Sequence, residues 1–151
     1  MKFSEIYTDP EYIISDDRRQ KIVFKDKRET RIYRVQNPSR KKVTAYRVDG
    51  GIIDSLLIEK CDFAFYTDDD TLYLIELKGS DLLQAIKQIS RSIDILIEPV
   101  KDMPDHINAR IILSKYNVPS AYKAEEIRLH KKIKSFGGEL VTKVRLLEEN
   151  I

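Results

Sequence analysis

Asp62, Glu76 and Lys78 are the residues whose types and spacing could do chemistry together. Glu76 and Lys78 stand two apart in the apolar run LYLIELK at 72–78. On an extended strand that spacing puts both on one face, with Leu72 and Leu74. Charged side chains are rarely buried without a partner or a task. Asp62 belongs to the preceding run, CDFAFYT at 61–67, whose alternation sets Asp62, Ala64 and Tyr66 on one face. Asp68-Asp69-Asp70 between the runs reads as a turn. A hairpin symmetric about Asp69 pairs residues whose numbers sum to 138, and so sets Asp62 opposite Glu76. Their Cβ atoms would then lie roughly 4.5–5.5 Å apart. A two-residue loop would slip the register by one and break that pairing.

Opposed carboxylates repel, and something must compensate. A hard divalent cation does so, because Mg2+ takes oxygen ligands, commonly one or two carboxylates with waters and substrate phosphate. A lysine beside that cation could orient or deprotonate a water, or stabilise charge building on a phosphate. Together these groups are an apparatus for metal-assisted phosphodiester hydrolysis. The plainer reading makes Glu76 and Lys78 an ion-paired or solvated face, with Asp62 incidental.

Other elements must position these residues. KIVF (21–24), TRIYRVQ (30–36) and VTAYRV (43–48) have strand character, separated by charged or Pro-containing turns. Residues 1–19 are mixed, and IIDSLLIEK (52–60) is either helical or irregular. After the LYLIELK strand, Gly79-Ser80-Asp81 opens a helix, with Ser80 as N-cap and Asp81 in the first turn. Its apolar stripe is Leu82, Leu83, Ile86, Ile89, Ile93, Leu96 and Ile97, ending at Pro99. Asp81, Gln84, Gln88 and Arg91 form the opposite, polar stripe. NARIILSK (108–115) is a buried strand, AEEIRLHKKIKSF (124–136) a helix stopped by Gly137-Gly138, and ELVTKVRLL (139–147) a final strand. This order argues for an α/β fold with helices packed on a mixed sheet. One domain is expected over 1–151, with a core at about 43–147 and an extension over 1–42 of unsettled topology.

The net charge of +2 hides an uneven distribution. Residues 1–47 hold 13 Lys/Arg against 7 Asp/Glu, residues 48–98 hold 4 against 11, and residues 99–151 hold 10 against 7. An acidic centre between basic flanks suits a metal site within a phosphate-binding surface. The tracts Arg18-Arg19-Gln20-Lys21, Lys25-Asp26-Lys27-Arg28 and Arg40-Lys41-Lys42 could track phosphates, with Tyr33 and Tyr46 among them as packing residues. Lys131, Lys132 and Lys134 read as a solvated helix face. His106, His130 and Cys61 are scattered, which argues against zinc, and no phosphate-binding glycine loop is present. No apolar run reaches membrane-spanning length, and the first residues lack an apolar signal core. With a single cysteine, this suits a reducing cytoplasm.

Asp62, then E-L-K on the following strand, then a glycine and a helix, resembles the PD-(D/E)XK nuclease superfamily, the restriction-endonuclease-like nucleases. The resemblance covers about residues 54–98, and the β-β-α-β order extends it to about 115. It implies a restriction-endonuclease-like mixed sheet flanked by helices, with core order β-β-β-α-β-α-β, and a Mg2+- or Mn2+-dependent nuclease acting on nucleic acid, DNA foremost. By motif position, Asp62, Glu76 and the backbone carbonyl of Leu77 would bind metal, and Lys78 would be the catalytic lysine. Gln88, or as second choice Gln84, would contact the metal-bound water or the DNA backbone. Relatives usually add an acid from upstream; the candidates here are Glu5, Glu11, Asp54 and Glu59, of which Asp54 and Glu59 are nearest in sequence. Arg40, Lys41 and Lys42 would contact nucleic acid. Cys61 stands where many members have proline, and Ser92 where many have a tyrosine. A homodimer would let one small domain cut both strands. The alternative is a nuclease-like subunit that binds nucleic acid or protein without activity.

Overall fold

The computed structural model describes residues 1–78, 81–115 and 123–151, with Lys78 described by its backbone only. Ser80, the expected N-cap, lies outside the described residues. The elements in order are α1 Phe3–Ile6, β1 Ile13–Asp17, β2 Lys21–Lys25, β3 Ile32–Gln36, β4 Val43–Arg47, β5 Phe63–Thr67, β6 Thr71–Lys78, α2 Leu82–Ile97, β7 His106–Leu113, α3 Lys123–Ser135, β8 Leu140–Val144 and β9 Leu146–Asn150.

Alternation explains the strands, and chain reversal explains their directions. β4, β5 and β6 form an antiparallel meander joined by loops. β7 and β8 then add in parallel, each after a helical crossover of the kind that parallel pairing requires. The result is a mixed six-stranded sheet, ordered β1-β4-β5-β6-β7-β8. A three-stranded sheet, ordered β2-β3-β9, forms beside it. The expected order of strands and helices from β4 onward is present.

Three differences from expectation stand out. The first is at the final strand, which is two strands in two sheets. Arg145 adopts a left-handed backbone (φ 67°) between them. Its N–H donates to the Leu113 carbonyl at 2.7 Å and its carbonyl accepts from Ile32 at 2.8 Å, so it bridges the sheets. The second is the covering of the large sheet. All described helices lie on one face, where Leu82, Ala85, Ile86, Ile89, Ile93 and Leu96 of α2 join Leu72, Leu74, Ile107 and Ile111. The other face is covered by the small sheet, because Ile22, Phe24, Tyr33, Val35 and Leu147 point inward onto Phe65, Ile75 and Ile112. The third is the segment 1–42, which is not an appendage. It supplies β1 at the edge of the large sheet and two strands of the small one.

Smaller corrections are local. Asp81 is itself the α2 N-cap, its carboxylate accepting the Gln84 N–H at 3.0 Å. Lys132 is not a solvated charge, for its ammonium binds the Ser90 carbonyl (3.1 Å), the Ser90 hydroxyl (2.9 Å) and Asp94 (2.8 Å), tying α3 to α2. Gly137 ends α3 as expected, with the positive φ (74°) that such a stop requires. Among the described residues no helix is long and apolar enough to cross a membrane.

The two sheets are pinned by a polar cluster. Arg110 of β7 is 5% exposed. Its guanidinium meets Glu149 of β9 at 2.5 Å and stacks over the Tyr73 ring at 5.3 Å from the centroid. Tyr33 of β3 donates its hydroxyl to the same Glu149 oxygen. Removing one partner strands a buried charge, which costs far more than the intact pair contributes. Glu149→Ala is therefore expected to destabilise the fold by roughly 3 kcal/mol in chemical denaturation. A loss under about 0.5 kcal/mol, the size typical of surface changes, would show that the sheets do not depend on this pair.

Candidate functional site

The β5–β6 hairpin has the expected register. Phe63 pairs with Ile75, Ala64 with Leu74, Phe65 with Tyr73, Tyr66 with Leu72 and Thr67 with Thr71, each summing to 138. The turn is held by its own acids. The Thr67 hydroxyl donates to Asp69 and the Tyr66 hydroxyl to Asp70. Lys41 pairs with Asp69 at 2.8 Å. Asp70 takes the left-handed conformation (φ 61°) that reverses the chain.

At Asp62 the register breaks. Its N–H donates to the carbonyl of Ile75 (3.1 Å), the residue already paired with Phe63. Two residues facing one make a β-bulge, which re-aims the side chain. Cys61, not Asp62, then shares the α2-side core with Ala64 and Tyr66. Asp62 joins Phe63 and Leu77 in a cleft on the small-sheet side. The ladder ends at the Phe63–Ile75 pair, so Asp62 and Glu76 are not joined as a ladder pair, and the Asp62 carboxylate makes a contact to the backbone of β6. Asp62 Oδ2 accepts the N–H of Leu77 at 2.9 Å, from the peptide that joins Glu76 to Leu77. On an extended strand the N–H and C=O of one residue point the same way. The Leu77 carbonyl therefore opens toward the same gap as Asp62. Glu76 keeps the parity of Leu72 and Leu74 beneath α2 and is 1% exposed. Lys78 continues the strand, with its backbone in register with Leu113.

The bulge is held from two sides. Cys61 donates its N–H to the hydroxyl of Ser92, fully buried on α2, at 2.7 Å. Burial pushes the Cys61 thiol well above its ordinary range, so it stays protonated and serves packing. On the other side, Val48 and Asp49 both donate backbone N–H groups to the Asp62 carbonyl, at 3.0 and 3.3 Å. The chain can fold back there because Gly51 has no side chain, since a Cβ would meet the Arg47 carbonyl at 2.1 Å.

The helix residues lie across the strand edge. Gln84 and Gln88 line a pocket with Asp49, Glu59 and Lys60. Among the described residues, Gln88 Oε1 is buried with no hydrogen-bond partner. Lys60 is 8% exposed, and its ammonium donates to the carbonyls of Ser55 (2.7 Å) and Ile58 (3.0 Å), with Asp49 at 3.9 Å. Asp49 lines both this pocket and the Asp62 cleft. Neither Asp49 nor Lys60 is singled out by spacing; the one sequence signal is an acid just before Gly50-Gly51 at the end of a strand.

The other expected residues divide. Of the upstream acids, Glu59 lines the glutamine pocket, while Asp54 is exposed in the loop before it. Glu11 has its backbone carbonyl on the Arg47 guanidinium (2.9 Å), near the Asp62 cleft. Glu5 caps α1 through the Lys2 N–H (2.7 Å), and α1 packs at the C-terminal end of α2, where Tyr7 donates to the Leu96 carbonyl. Glu5 therefore sits at the wrong end. Arg40, Lys41 and Lys42 also lie at the far end, beside the β5–β6 turn, where Asp68 donates its N–H to the Lys42 carbonyl. Lys41 binds Asp69, and Lys42 binds Asp16 at 3.7 Å. The tract that reaches the Asp62 cleft is Lys25-Asp26-Lys27, together with Arg47.

Asp26 shapes that basic hairpin. It accepts the Thr30 N–H (2.8 Å) and hydroxyl (2.9 Å) and pairs with Arg31. Burial pulls its carboxyl upward, but the hydrogen bonds from Thr30 and Arg31 outweigh this and bring it from 3.8 down to about 2.

Among the described residues, no three His, Cys, Asp or Glu side chains gather closely enough to form a metal cage by themselves. The donors at the Asp62–Leu77 gap are all oxygens, and their hardness fits Mg2+ or Mn2+ completed by water and substrate phosphate. Compared with protein-family models, curated proteins and solved structures, the chain gives no match.

Two outcomes are expected. Ser92→Ala leaves the buried Cys61 N–H without its acceptor and should cost about 1–3 kcal/mol in chemical denaturation. An unchanged midpoint would show that α2 does not hold the bulge. Asp26 has a folded value below its unfolded one, so its stabilisation is complete above about pH 4 and disappears as pH falls through about 2. Asp26→Asn should flatten the fall of melting temperature across that window, and a slope equal to wild type would remove Asp26 from the account.

Proposed function

We propose that the chain is a metal-dependent nuclease of the PD-(D/E)XK type, hydrolysing phosphodiester bonds of DNA. The observation that carries this reading is the hydrogen bond from the Leu77 N–H to Asp62. It joins the motif aspartate to the Glu76-Leu77-Lys78 segment at the point where β5 and β6 separate. The antiparallel meander, the crossover helix with its glutamines and the parallel strand after it agree with the restriction-endonuclease-like core.

Asp62, Glu76 and the Leu77 carbonyl would hold Mg2+ or Mn2+. The ion supplies Lewis-acid polarisation of the phosphate and a lowered pKa for its water. Gln88, with Gln84 one turn earlier, orients the attacking water from the helix side, and Asp49 closes the space between the two clefts. Lys25, Lys27 and Arg47 draw in the phosphate backbone, a contribution that weakens as salt rises. Lys78 stabilises the charge that builds on the phosphate. Water adds its oxygen to phosphorus, the 3′-oxygen leaves with a proton, and the product carries a 5′-phosphate.

A second reading is a nucleic-acid-binding subunit that keeps this architecture without cleaving. The 1% exposure of Glu76 favours it. Incubation with plasmid, linear and branched DNA in Mg2+ or Mn2+ separates the two. Cleavage is expected, abolished by EDTA and reduced about a hundredfold or more in Glu76→Ala, Lys78→Ala and Asp62→Ala. DNA binding with no cleavage in either metal would support the second reading, and cleavage that survives these substitutions would sink the mechanism.

A further inference from the structure

β8 is an edge of the large sheet, and among the described residues no strand pairs its outer side. On its inner side the Glu139 carbonyl accepts from Ala109 at 3.0 Å and the Arg145 N–H donates to Leu113 at 2.7 Å. Odd-numbered residues thus turn their backbone groups toward β7, and Leu140, Thr142 and Val144 turn theirs outward. Such a row of N–H and C=O groups is a template for another strand. Beside it, α3 and the start of β8 enclose an open groove lined by Ile127, His130, Lys131, Lys134, Glu139 and Leu140. The cations of α3 are sorted by partner. Arg128 pairs with Glu125, and Lys132 with Asp94. Lys131 and Lys134, which line the groove, are exposed and join no ion pair among the described residues. Lys143, farther along the edge, is exposed and unpaired in the same way.

We propose that the β8 edge takes up an acidic, extended segment of a partner protein as a further strand of the large sheet. Backbone hydrogen bonds supply affinity in this mode of recognition, and alternate side chains supply specificity. Leu140 belongs to the core on the helix side and Val141 packs on the small-sheet side. Alternate side chains of an added strand therefore lie on the α3 side, where carboxylates meet Lys131 and Lys134. The others lie beside Val141 and Lys143. Charge and backbone together select this occupant. A phosphodiester backbone offers acceptors only, so it would leave the outward carbonyls of Leu140, Thr142 and Val144 facing oxygen. It would also gain nothing from Ile127 and Val144, which are 53% and 37% exposed. A peptide brings N–H and C=O groups in turn. A second copy of the chain would set Lys131, Lys134 and Lys143 against their own kind. This inference does not rest on the nuclease reading. The groove stands at the end of the sheet that carries the β5–β6 turn, where Asp105 donates its N–H to the Asp70 carbonyl at 2.9 Å and Ile107 donates to Phe136 at 3.2 Å. A segment bound there leaves the Asp62 cleft open.

The probe is a fluorescent peptide of about ten residues that alternates glutamate with valine, titrated into the full chain and followed by anisotropy. Saturable binding is expected, and it should weaken as salt rises. Lys131→Glu/Lys134→Glu, confined to an exposed face, should weaken it at least about tenfold. Methylating the peptide nitrogens of every valine, or of every glutamate, removes one set of donors without changing charge. One of these two peptides should lose binding while the other stays within about threefold of the parent. Hydrogen exchange should show new protection at the amides of Leu140, Thr142 and Val144. Four results would overturn the proposal. One is no saturable binding by wild type, and another is binding that survives the lysine reversals. A third is equal binding by the parent and both methylated peptides, together with protection of the same amides by a single-stranded oligonucleotide, which would make the groove a general anion site. The fourth is a wild-type dimer in sedimentation that Thr142→Pro dissociates, which would make the edge a contact between copies. That proline removes an outward N–H and leaves the ladder to β7 intact.

Discussion

The pairing of β5 with β6 is the constraint on which the rest of the molecule depends. Five residue pairs in one register decide which side chains of the central strands meet the helices and which meet the small sheet. A slip of one residue would exchange the two faces. The register is pinned at the turn, where Thr67, Tyr66 and Lys41 satisfy Asp69 and Asp70. It is released at the opposite end by the bulge at Asp62. An acid-rich turn and an interrupted pairing thus do complementary work. The turn fixes the sheet, and the break leaves a carboxylate and a backbone carbonyl facing a gap.

Much of this was legible in the sequence, and the reasons differ by element. The hairpin register followed from alternation and from the symmetry of three aspartates. The two long helices followed from apolar periodicity with Gly137 as a stop. The bulge did not follow, because strict alternation cannot report a residue whose N–H shares a carbonyl with its neighbour. What forces it is distant in sequence: Ser92 takes the Cys61 N–H, and Val48 and Asp49 take the Asp62 carbonyl. Ser92 looked like a missing tyrosine, yet it is a fully buried anchor. The split of the last strand was hidden for a similar reason. Nothing local marks Arg145 as a left-handed hinge, and its conformation is set by bonds to Leu113 and Ile32.

The charge pattern was informative only once folded. Three basic tracts looked equivalent along the chain, but two of them fold to the β5–β6 turn, where Arg18 pairs with Asp68 at 3.4 Å, and one folds to the Asp62 cleft. Arg40, Lys41 and Lys42 stand beside the acidic turn, where Lys41 and Lys42 neutralise Asp69 and Asp16. Lys25 and Lys27 stand over the Asp62 cleft, on a hairpin tip that Asp26 holds in shape. Asp49 and Lys60 were invisible for the opposite reason, since a lone acid and a lone lysine in a loop carry no periodic signal. Folding makes Asp49 the residue shared by the two clefts and Lys60 the clasp of the loop between them.

The central claim is that Asp62 and the Glu76-Leu77-Lys78 segment form one oxygen-lined cation site. The most direct measurement is calorimetric titration of the full chain with Mn2+ in the absence of nucleic acid, beside Asp62→Ala, with Asp54→Ala as a control from the neighbouring loop. The account predicts saturable binding by wild type and by the control, weakened at least about tenfold in Asp62→Ala. Binding that is indifferent to the loss of Asp62 would contradict it.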